Sequence, residues 1–400
     1  LKMSINSEID VLDRVCLTKM TNNAIHEKGQ YFTTDEGLQK NVFDLIQNKS
    51  TCILEPCVGK GHLVHYIMSH STDYTFDMFE IDDSLHMICD VDASRVRYGD
   101  FLSNVVERKY DTIVGNPPFV KTKTGNLYHE FILKCFHLLN DNGELIFIVP
   151  SDFLKLTSSR NLLTEMLETG TFTHIIHPDK EDLFEHANVD VIVFRYCKNV
   201  ALPPKVLVNG CAKFLVNVNG VVTFSDVKKR SLVPLGDEFD IYVGMVSGKE
   251  SVFKNPELGG VEILNGNGMV EKYIMVDNFP TENDKLDAYL LEHKSELMAR
   301  KIRKFHENNW FQWGALRNIE VVRARMGEPC IYVKTLTRAT EVCFVGKVQL
   351  CGGGLVMMVP KKKMNLNKLV AKLNSEGFRE NYLYSGRFKI GHNQLCNAVV

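Results

Sequence analysis

From residue 51 to 197, short apolar runs alternate with stretches in which apolar residues recur every three or four positions, the pattern of buried parallel strands joined by helical crossovers. Strands are predicted at Thr51–Leu54, Tyr74–Glu80, Thr112–Val114, Glu144–Val149, His174–His177 and Asp190–Tyr196. Helices fit Gly37–Gln47, Gly61–Ser69, Asn126–Leu139 and Ser158–Glu168, the third closed by Asn140-Asp141-Asn142-Gly143 and the fourth by Gly170. This half therefore reads as a doubly wound, Rossmann-like α/β sheet. The rhythm breaks at Leu202-Pro203-Pro204, after which short β-like runs follow at Val206–Val208, Lys213–Val218, Val221–Phe224 and Ile241–Val246, and residues 281–305 look helical. The expected organisation is a first domain over 1–200, a linker segment over 201–235 and a mixed α/β domain over 236–400.

Composition narrows the class without naming a chemistry. Four hundred residues suffice for two cores, and 44% hydrophobic with 24% charged residues is ordinary for a folded globular chain. No window approaches the roughly 18 consecutive apolar residues that a bilayer span needs, and the first residues lack a basic stretch leading into an apolar one. Membrane insertion and secretion are both disfavoured. The eleven cysteines are scattered singly and no C-x-x-C pair exists, so neither a disulfide framework nor a metal site is expected, and reduced thiols point to a cytoplasmic protein. Charge is split between the halves: residues 1–200 hold 19 basic and 29 acidic side chains, whereas residues 301–400 hold 17 basic and 6 acidic. A basic C-terminal part is a feature of polyanion binders.

Candidate chemistry gathers at the ends of the predicted strands. Leu54-Glu55-Pro56-Cys57-Val58-Gly59-Lys60-Gly61 leaves a strand, turns on two glycines and enters a helix, so that backbone can approach a ligand at the carboxyl edge of a sheet. It is neither G-x-G-x-x-G nor a phosphate loop. Glu80 ends the second strand about where a doubly wound fold places an acid on ribose hydroxyls, and Asp100-Phe101 offers a carboxylate beside an aromatic, a pairing suited to adenine. Each of these alone is weak. The strong signal is Asn116-Pro117-Pro118-Phe119 at the end of the next strand. Two prolines fix the backbone and remove donors, leaving the Pro117 carbonyl beside the Asn116 amide oxygen. Two acceptors converging on one amine suit an exocyclic amine on a heteroaromatic ring, a poor nucleophile until both its hydrogens are held. Phe119 follows, placed to stack on such a ring.

Taken in order, these residues resemble the class I S-adenosylmethionine-dependent amino-methyltransferases, and specifically the gamma-class N6-adenine DNA methyltransferases of the TaqI-like type. The resemblance covers most of the first half. It implies that Gly29-Gln30-Tyr31-Phe32-Thr33 closes over methionine with Thr33 as a contact, that Glu55 and Cys57 line the methionine and sulfonium, that Glu80 binds ribose with Ile81 on the cofactor adenine, and that Asp100 and Phe101 meet that adenine. Asn116, Pro117, Pro118 and Phe119 become the catalytic tetrapeptide, with Asn116 and Pro118 also beside the cofactor, and Phe184 of Leu183-Phe184-Glu185 becomes the second wall of the target-base pocket. The tetrapeptide departs from the commoner Tyr ending by carrying Phe119, which keeps stacking and loses a hydroxyl.

The order of cofactor region, tetrapeptide and C-terminal domain implies a DNA target-recognition domain over 236–400, acting as a monomer on duplex DNA within restriction-modification, alongside a companion restriction endonuclease. Lys301-Ile302-Arg303-Lys304, Arg317, Arg323, Arg325, Lys361-Lys362-Lys363, Arg379, Arg387 and Lys389 are candidates for phosphate contact, and Trp310, Phe311 and Trp313 for either a wedge at DNA or core. The same tetrapeptide also serves methylation of an RNA base or of glutamine in a release factor, cytosine N4 methylation usually carries Ser at the first position, and a catalytically silent recognition subunit is a third class.

Overall fold

The computed structural model describes residues 31–49, 51–88, 91–123, 125–178, 183–184, 189–199, 205–228, 231–384 and 386–400. The segment Gly29-Gln30 and Glu185, singled out above, lie outside the described residues. The chain divides into two compact units, residues 1–229 and 230–400.

The first unit is built on one sheet. Its strands are β1 (Cys52–Glu55), β2 (Thr75–Glu80), β3 (Val96–Tyr98), β4 (Tyr110–Gly115), β5 (Leu139–Pro150), β6 (Gly170–Ile176), β7 (Val191–Lys198), β8 (Val206–Val208), β9 (Cys211–Val218) and β10 (Val221–Ser225), in the spatial order β10-β9-β8-β6-β7-β5-β4-β1-β2-β3. Strands β1 to β5 pair in parallel, whereas β7 runs antiparallel between β5 and β6. Among the described residues, four α-helices cover the faces: α1 (Glu36–Asp44), α2 (His62–His70), α3 (Leu127–Leu138) and α4 (Arg160–Thr169).

Successive strand residues face opposite ways, so a strand covered on both sides reads as a continuous apolar run. In β5, Leu145, Phe147 and Val149 belong to the core under α3 and α4, while Ile146 and Ile148 belong to the core under α1 and α2. The same alternation separates Ile113 from Val114 and Ile192 from Val193. Helix α1 starts where the Asp35 carboxylate accepts from the Leu38 amide at 2.8 Å, and buries Leu38 and Val42 one turn apart.

Two expectations change. Residues 206–225, read as part of a linker, form β8, β9 and β10 and extend the sheet, because β8 finds an open edge at His174 and Ile175 of β6. The stretch Asn140–Gly143 turns as expected, with Asn142 at φ 62°, but inside β5, where the ladder to β4 shifts register between Tyr110 and Thr112. The short β3 was not anticipated.

The second unit is mixed α/β. Strands β11 (Phe239–Val243), β14 (Pro329–Lys334), β16 (Cys343–Lys347) and β17 (Leu355–Pro360) form an antiparallel sheet in the order β11-β17-β14-β16. A hairpin, β12 (Val261–Leu264) with β13 (Val270–Tyr273), and a small sheet of β15 (Leu336–Thr337), β19 (Arg387–Lys389) and β18 (Leu383–Tyr384) accompany it. Trp310, Phe311 and Trp313 are core, each 5% exposed or less, and pack with Phe253 and Leu290. No helix among the described residues is long and apolar enough to cross a membrane.

Candidate active site

The chain runs outward from β1 to β2 and β3, then returns to the other side of β1 as β4. That reversal opens a crevice at the carboxyl ends of β1 and β4, the place where doubly wound sheets bind ligands. A cavity of about 720 Å³ lies there, lined by residues that follow β1, β2, β3 and β4 and by the first turns of α3. A small recess of about 30 Å³ beside it reaches Glu55, Thr33 and Asn116.

The floor is set by the turn after β1. Gly59 and Gly61 take φ of +59° and +85°, a backbone that side chains rarely adopt, and a Cβ on Gly61 would press on Val91 at 3.0 Å. This turn aims the Gly59 amide at Glu80 Oε2 at 2.8 Å, while the Asp82 amide reaches Oε1 at 2.9 Å. Glu80 is thus a fixed carboxylate on the cavity wall, and each oxygen keeps lone-pair capacity for a ligand hydroxyl.

Glu55 is 2% exposed, and its Oε1 accepts from the Cys57 amide at 3.1 Å, with the Cys57 thiol at 3.6 Å. Burial pushes the Glu55 carboxyl up to about 8, against the two Cys57 donors that lower it. Burial likewise pushes the Cys57 thiol up, with Glu55 and Glu80 adding to the effect.

Asp100 folds its own turn: Oδ1 accepts from the Leu102 amide at 2.9 Å and Oδ2 from the Ser103 hydroxyl at 2.5 Å. Lys134 of α3 closes the turn from behind, donating to the carbonyls of Phe101, Leu102 (3.1 Å) and Asn104 (2.5 Å). The Phe101 ring is 2% exposed and packs on Phe79 and Phe131, so it serves the core more than the cavity. Ile81 stands on the rim at 69% exposure.

Asn116 follows β4, its side chain half-buried. Its Nδ2 donates to the Tyr31 carbonyl at 2.7 Å and to the Thr33 hydroxyl at 3.1 Å, whereas its Oδ1 is buried and finds no donor among the described residues. Buried acceptors are rarely left bare, so this one calls for a ligand donor. Pro117 is buried and Pro118 lines the cavity.

The expected sandwich between Phe119 and Phe184 is not the arrangement found. Their centroids are 6.1 Å apart with planes at 83°, and Tyr31 stacks on Phe119 at 5.3 Å and 27°. Phe184 is 5% exposed in the core beneath α1 and α2, with its ring edge-on to its neighbours. Tyr31, not Phe184, lies against the face of Phe119.

The lining also selects by charge. Glu80, Asp82, Asp83, Asp100 and Glu130 face the cavity, and no Lys or Arg is among its described lining residues. Such a wall repels phosphates and suits a ligand carrying positive charge. The chemistry of the donor set therefore fits S-adenosylmethionine: a carboxylate for ribose at Glu80, a buried acid near a cation at Glu55, an adenine-sized turn at Asp100. Among the described residues no group of His, Cys, Asp and Glu could hold a metal ion.

Sequence reasoning missed Asp82, Asp83, Leu127, Glu130, Phe131 and the ring of Tyr31. The Gly-Gln-Tyr-Phe-Thr segment pointed near Tyr31, but nothing in sequence says that a residue 85 positions before Asn116 lies against it. In the second unit, several candidate phosphate contacts are already engaged: Arg323 meets Glu320 at 3.3 Å, Lys361 donates to the Gly236 carbonyl at 2.8 Å and Arg379 to the Asn374 carbonyl at 3.1 Å. Arg325 is tied to Asp240, Tyr242 and Glu328 at 2.8–3.2 Å, and Arg303 to Gln312 and the Trp313 carbonyl at 3.1 and 2.9 Å. Lys301, Lys304, Arg317, Lys362, Lys363 and Lys389 remain exposed.

Comparison with known proteins places this geometry. Residues 30–184 match the Eco57I restriction-modification methylase family. The Type II methyltransferase M.HincII of Haemophilus influenzae is 25% identical over 236 residues, covering 53% of this chain and 43% of that protein. The Type II methyltransferase M.AccI of Acinetobacter calcoaceticus is 28% identical over 184 residues, covering 39% and 34%. The chain thus spans less than half the length of these curated relatives. Among solved structures, the Type IIL restriction-modification enzyme MmeI in complex with DNA superposes with a TM-score of 0.53 over 98% of this chain and 67% of that one, at 10% identity, a likeness of fold.

Proposed function

We propose that this chain, whose residues 30–184 match the Eco57I restriction-modification methylase family, transfers a methyl group from S-adenosylmethionine to the N6 amine of an adenine in DNA, as the modification activity of a restriction-modification system. The observation that carries the reading is the bare, buried Oδ1 of Asn116 at the switch point of the sheet, beside an acid-lined cavity of cofactor size.

When bound, S-adenosylmethionine supplies an electrophilic methyl on a positively charged sulfur. Glu80 takes the ribose hydroxyls, Ile81 and the Asp100 turn flank its adenine, and Glu55 with Cys57 sits toward the methionine end. Asn116 Oδ1 and the Pro117 carbonyl accept the two N6 hydrogens, which localises the nitrogen lone pair and turns it toward the methyl carbon. With the cofactor held by Glu80, the Asp100 turn and Glu55, its methyl would pass to N6 as the sulfur leaves, and the proton lost from N6 would go to solvent. Orientation supplies most of the acceleration. The amine of a stacked adenine cannot reach this edge, so the base leaves the helix and meets Phe119. The exposed basic residues of the second unit supply phosphate contacts, and a companion endonuclease reads the unmodified site.

The experiment is transfer of radiolabelled methyl to plasmid DNA, RNA and protein in parallel, with nucleoside analysis of the product. Label in N6-methyladenine, abolished in Asn116→Ala while cofactor binding persists, is the expected result. Label confined to protein or RNA, or in N4-methylcytosine, overturns the assignment, as does an active Asn116→Ala.

A further inference from the structure

The amide of Asn116 is useful only one way round, with its oxygen toward the incoming amine, and a primary amide has no intrinsic preference between its two flips. On the segment before α1 the Tyr31 carbonyl, an obligate acceptor, removes the choice, and the Thr33 hydroxyl holds the amide in place beside it. The Tyr31 carbonyl stands 2.7 Å from Nδ2 and the Thr33 hydroxyl 3.1 Å. A carbonyl has no hydrogen to give, so the flipped amide would set two acceptor oxygens face to face at 2.7 Å and leave both hydrogens of the amide without these partners. The hydroxyl of Thr33 reinforces the choice by accepting the remaining hydrogen.

Thr33 is itself held. It is 6% exposed, and its carbonyl accepts from Gln39 Nε2 at 2.6 Å, a side chain that is 8% exposed on α1. Helix α1 is in turn fixed to the sheet by Leu38 and Val42. Support therefore passes from the sheet through α1 and Gln39 to Thr33 and on to the Asn116 amide.

We propose that Thr33, with the Tyr31 carbonyl, is a positioning residue that locks the Asn116 side chain in the orientation leaving Oδ1 bare for the substrate amine. The inference rests on the methyl-transfer reading and departs from the cofactor contact that the resemblance implies for Thr33. Thr33→Val keeps the shape and removes the acceptor, while Thr33→Ser restores it. In Thr33→Val, single-turnover methylation at saturating cofactor and DNA should fall about tenfold, with cofactor affinity within twofold of wild type and most of the rate recovered in Thr33→Ser. Weakened cofactor binding with an unchanged rate at saturation would overturn the proposal.

A second readout is independent of activity. In protein labelled with 15N-asparagine, the Asn116 side-chain NH2 signals, assigned by their loss in Asn116→Ala, should be distinct and slowly exchanging with solvent, and both properties should be lost in Thr33→Val. Signals unmoved by Thr33→Val overturn the positioning role whether or not the protein methylates DNA. Wild type that holds these signals but labels no DNA overturns the methyl-transfer reading alone.

Discussion

Replacing Glu80 by Gln separates its bracing of the turn from the ribose contact proposed for it. In the free protein Oε2 and Oε1 accept the amides of Gly59 and Asp82 at 2.8 and 2.9 Å. An amide offers one oxygen and one NH2, so one of those N–H groups is left facing another donor. Losing one hydrogen bond to a charged acceptor at a 7% exposed position costs about 1.5–3 kcal/mol. For a unit of this size each kcal/mol moves Tm by about 2–4 °C, and a loss near 2 kcal/mol therefore lowers Tm by about 4–8 °C. On the ligand side the ribose hydroxyls exchange a charged acceptor for a neutral one, a further loss of similar size. At about 1.4 kcal/mol per tenfold, cofactor affinity should drop ten- to hundredfold. Thermal unfolding and titration calorimetry with S-adenosylhomocysteine measure the two effects separately. A lowered Tm with affinity within twofold of wild type would refute the ribose role and leave Glu80 as a brace for the turn.

Three further outcomes follow from the geometry. Burial holds Glu55 protonated up to about pH 8, and a cationic methionine group favours the ionised form. Cofactor affinity should therefore rise as pH increases toward 8, with proton uptake by buffer in calorimetry, and Glu55→Gln should flatten that dependence; affinity that falls over the same range would contradict it. The raised value also means that Glu55 costs stability as pH climbs from the ordinary carboxylate range through 8. Lys134→Met keeps the apolar stem and removes all three donors to the Phe101, Leu102 and Asn104 carbonyls, so amide exchange in residues 101–104 should quicken at least tenfold, and unchanged protection would show the turn to be self-supporting. Arg195 and Glu144, paired at 2.7 Å with side-chain exposures of 8% and 0%, form a buried ion pair on the sheet. Glu144→Gln should cost about 3–5 kcal/mol in chemical denaturation by stranding the guanidinium, and a loss below about 1 kcal/mol would show that water reaches it.

The doubly wound half was legible because its strands are buried on both faces. A run such as Leu145–Val149 has no polar interruption, and the turns beside it carry Gly, Asn or Pro. The tetrapeptide was legible because consecutive prolines at a strand end have few purely structural uses. What stayed hidden depends on distant partners. Residues 206–225 carry the short alternating runs of a hairpin, but only the open edge of β6 turns them into sheet. The sequence suggests Phe119 and Phe184 as two walls around a base, but their edge-to-face geometry comes from the core beneath α1 and α2 and no local pattern encodes it. Arg325 reads as a free cation in the sequence, and its partner Asp240 lies 85 residues away on β11.

The ring of Tyr31 lies against the face of Phe119 on which, by the proposed reading, the target base would stack. A purine arriving at Phe119 does not add a stack worth about 1–3 kcal/mol; it exchanges one aromatic neighbour for another, and much of that energy cancels. Free nucleobases and unspecific aromatic groups are thereby given little reason to settle there. On the proposed reading, capture would then depend on what Tyr31 cannot imitate, an amine that satisfies Asn116 Oδ1, and discrimination would pass from the rings to a single hydrogen-bond acceptor.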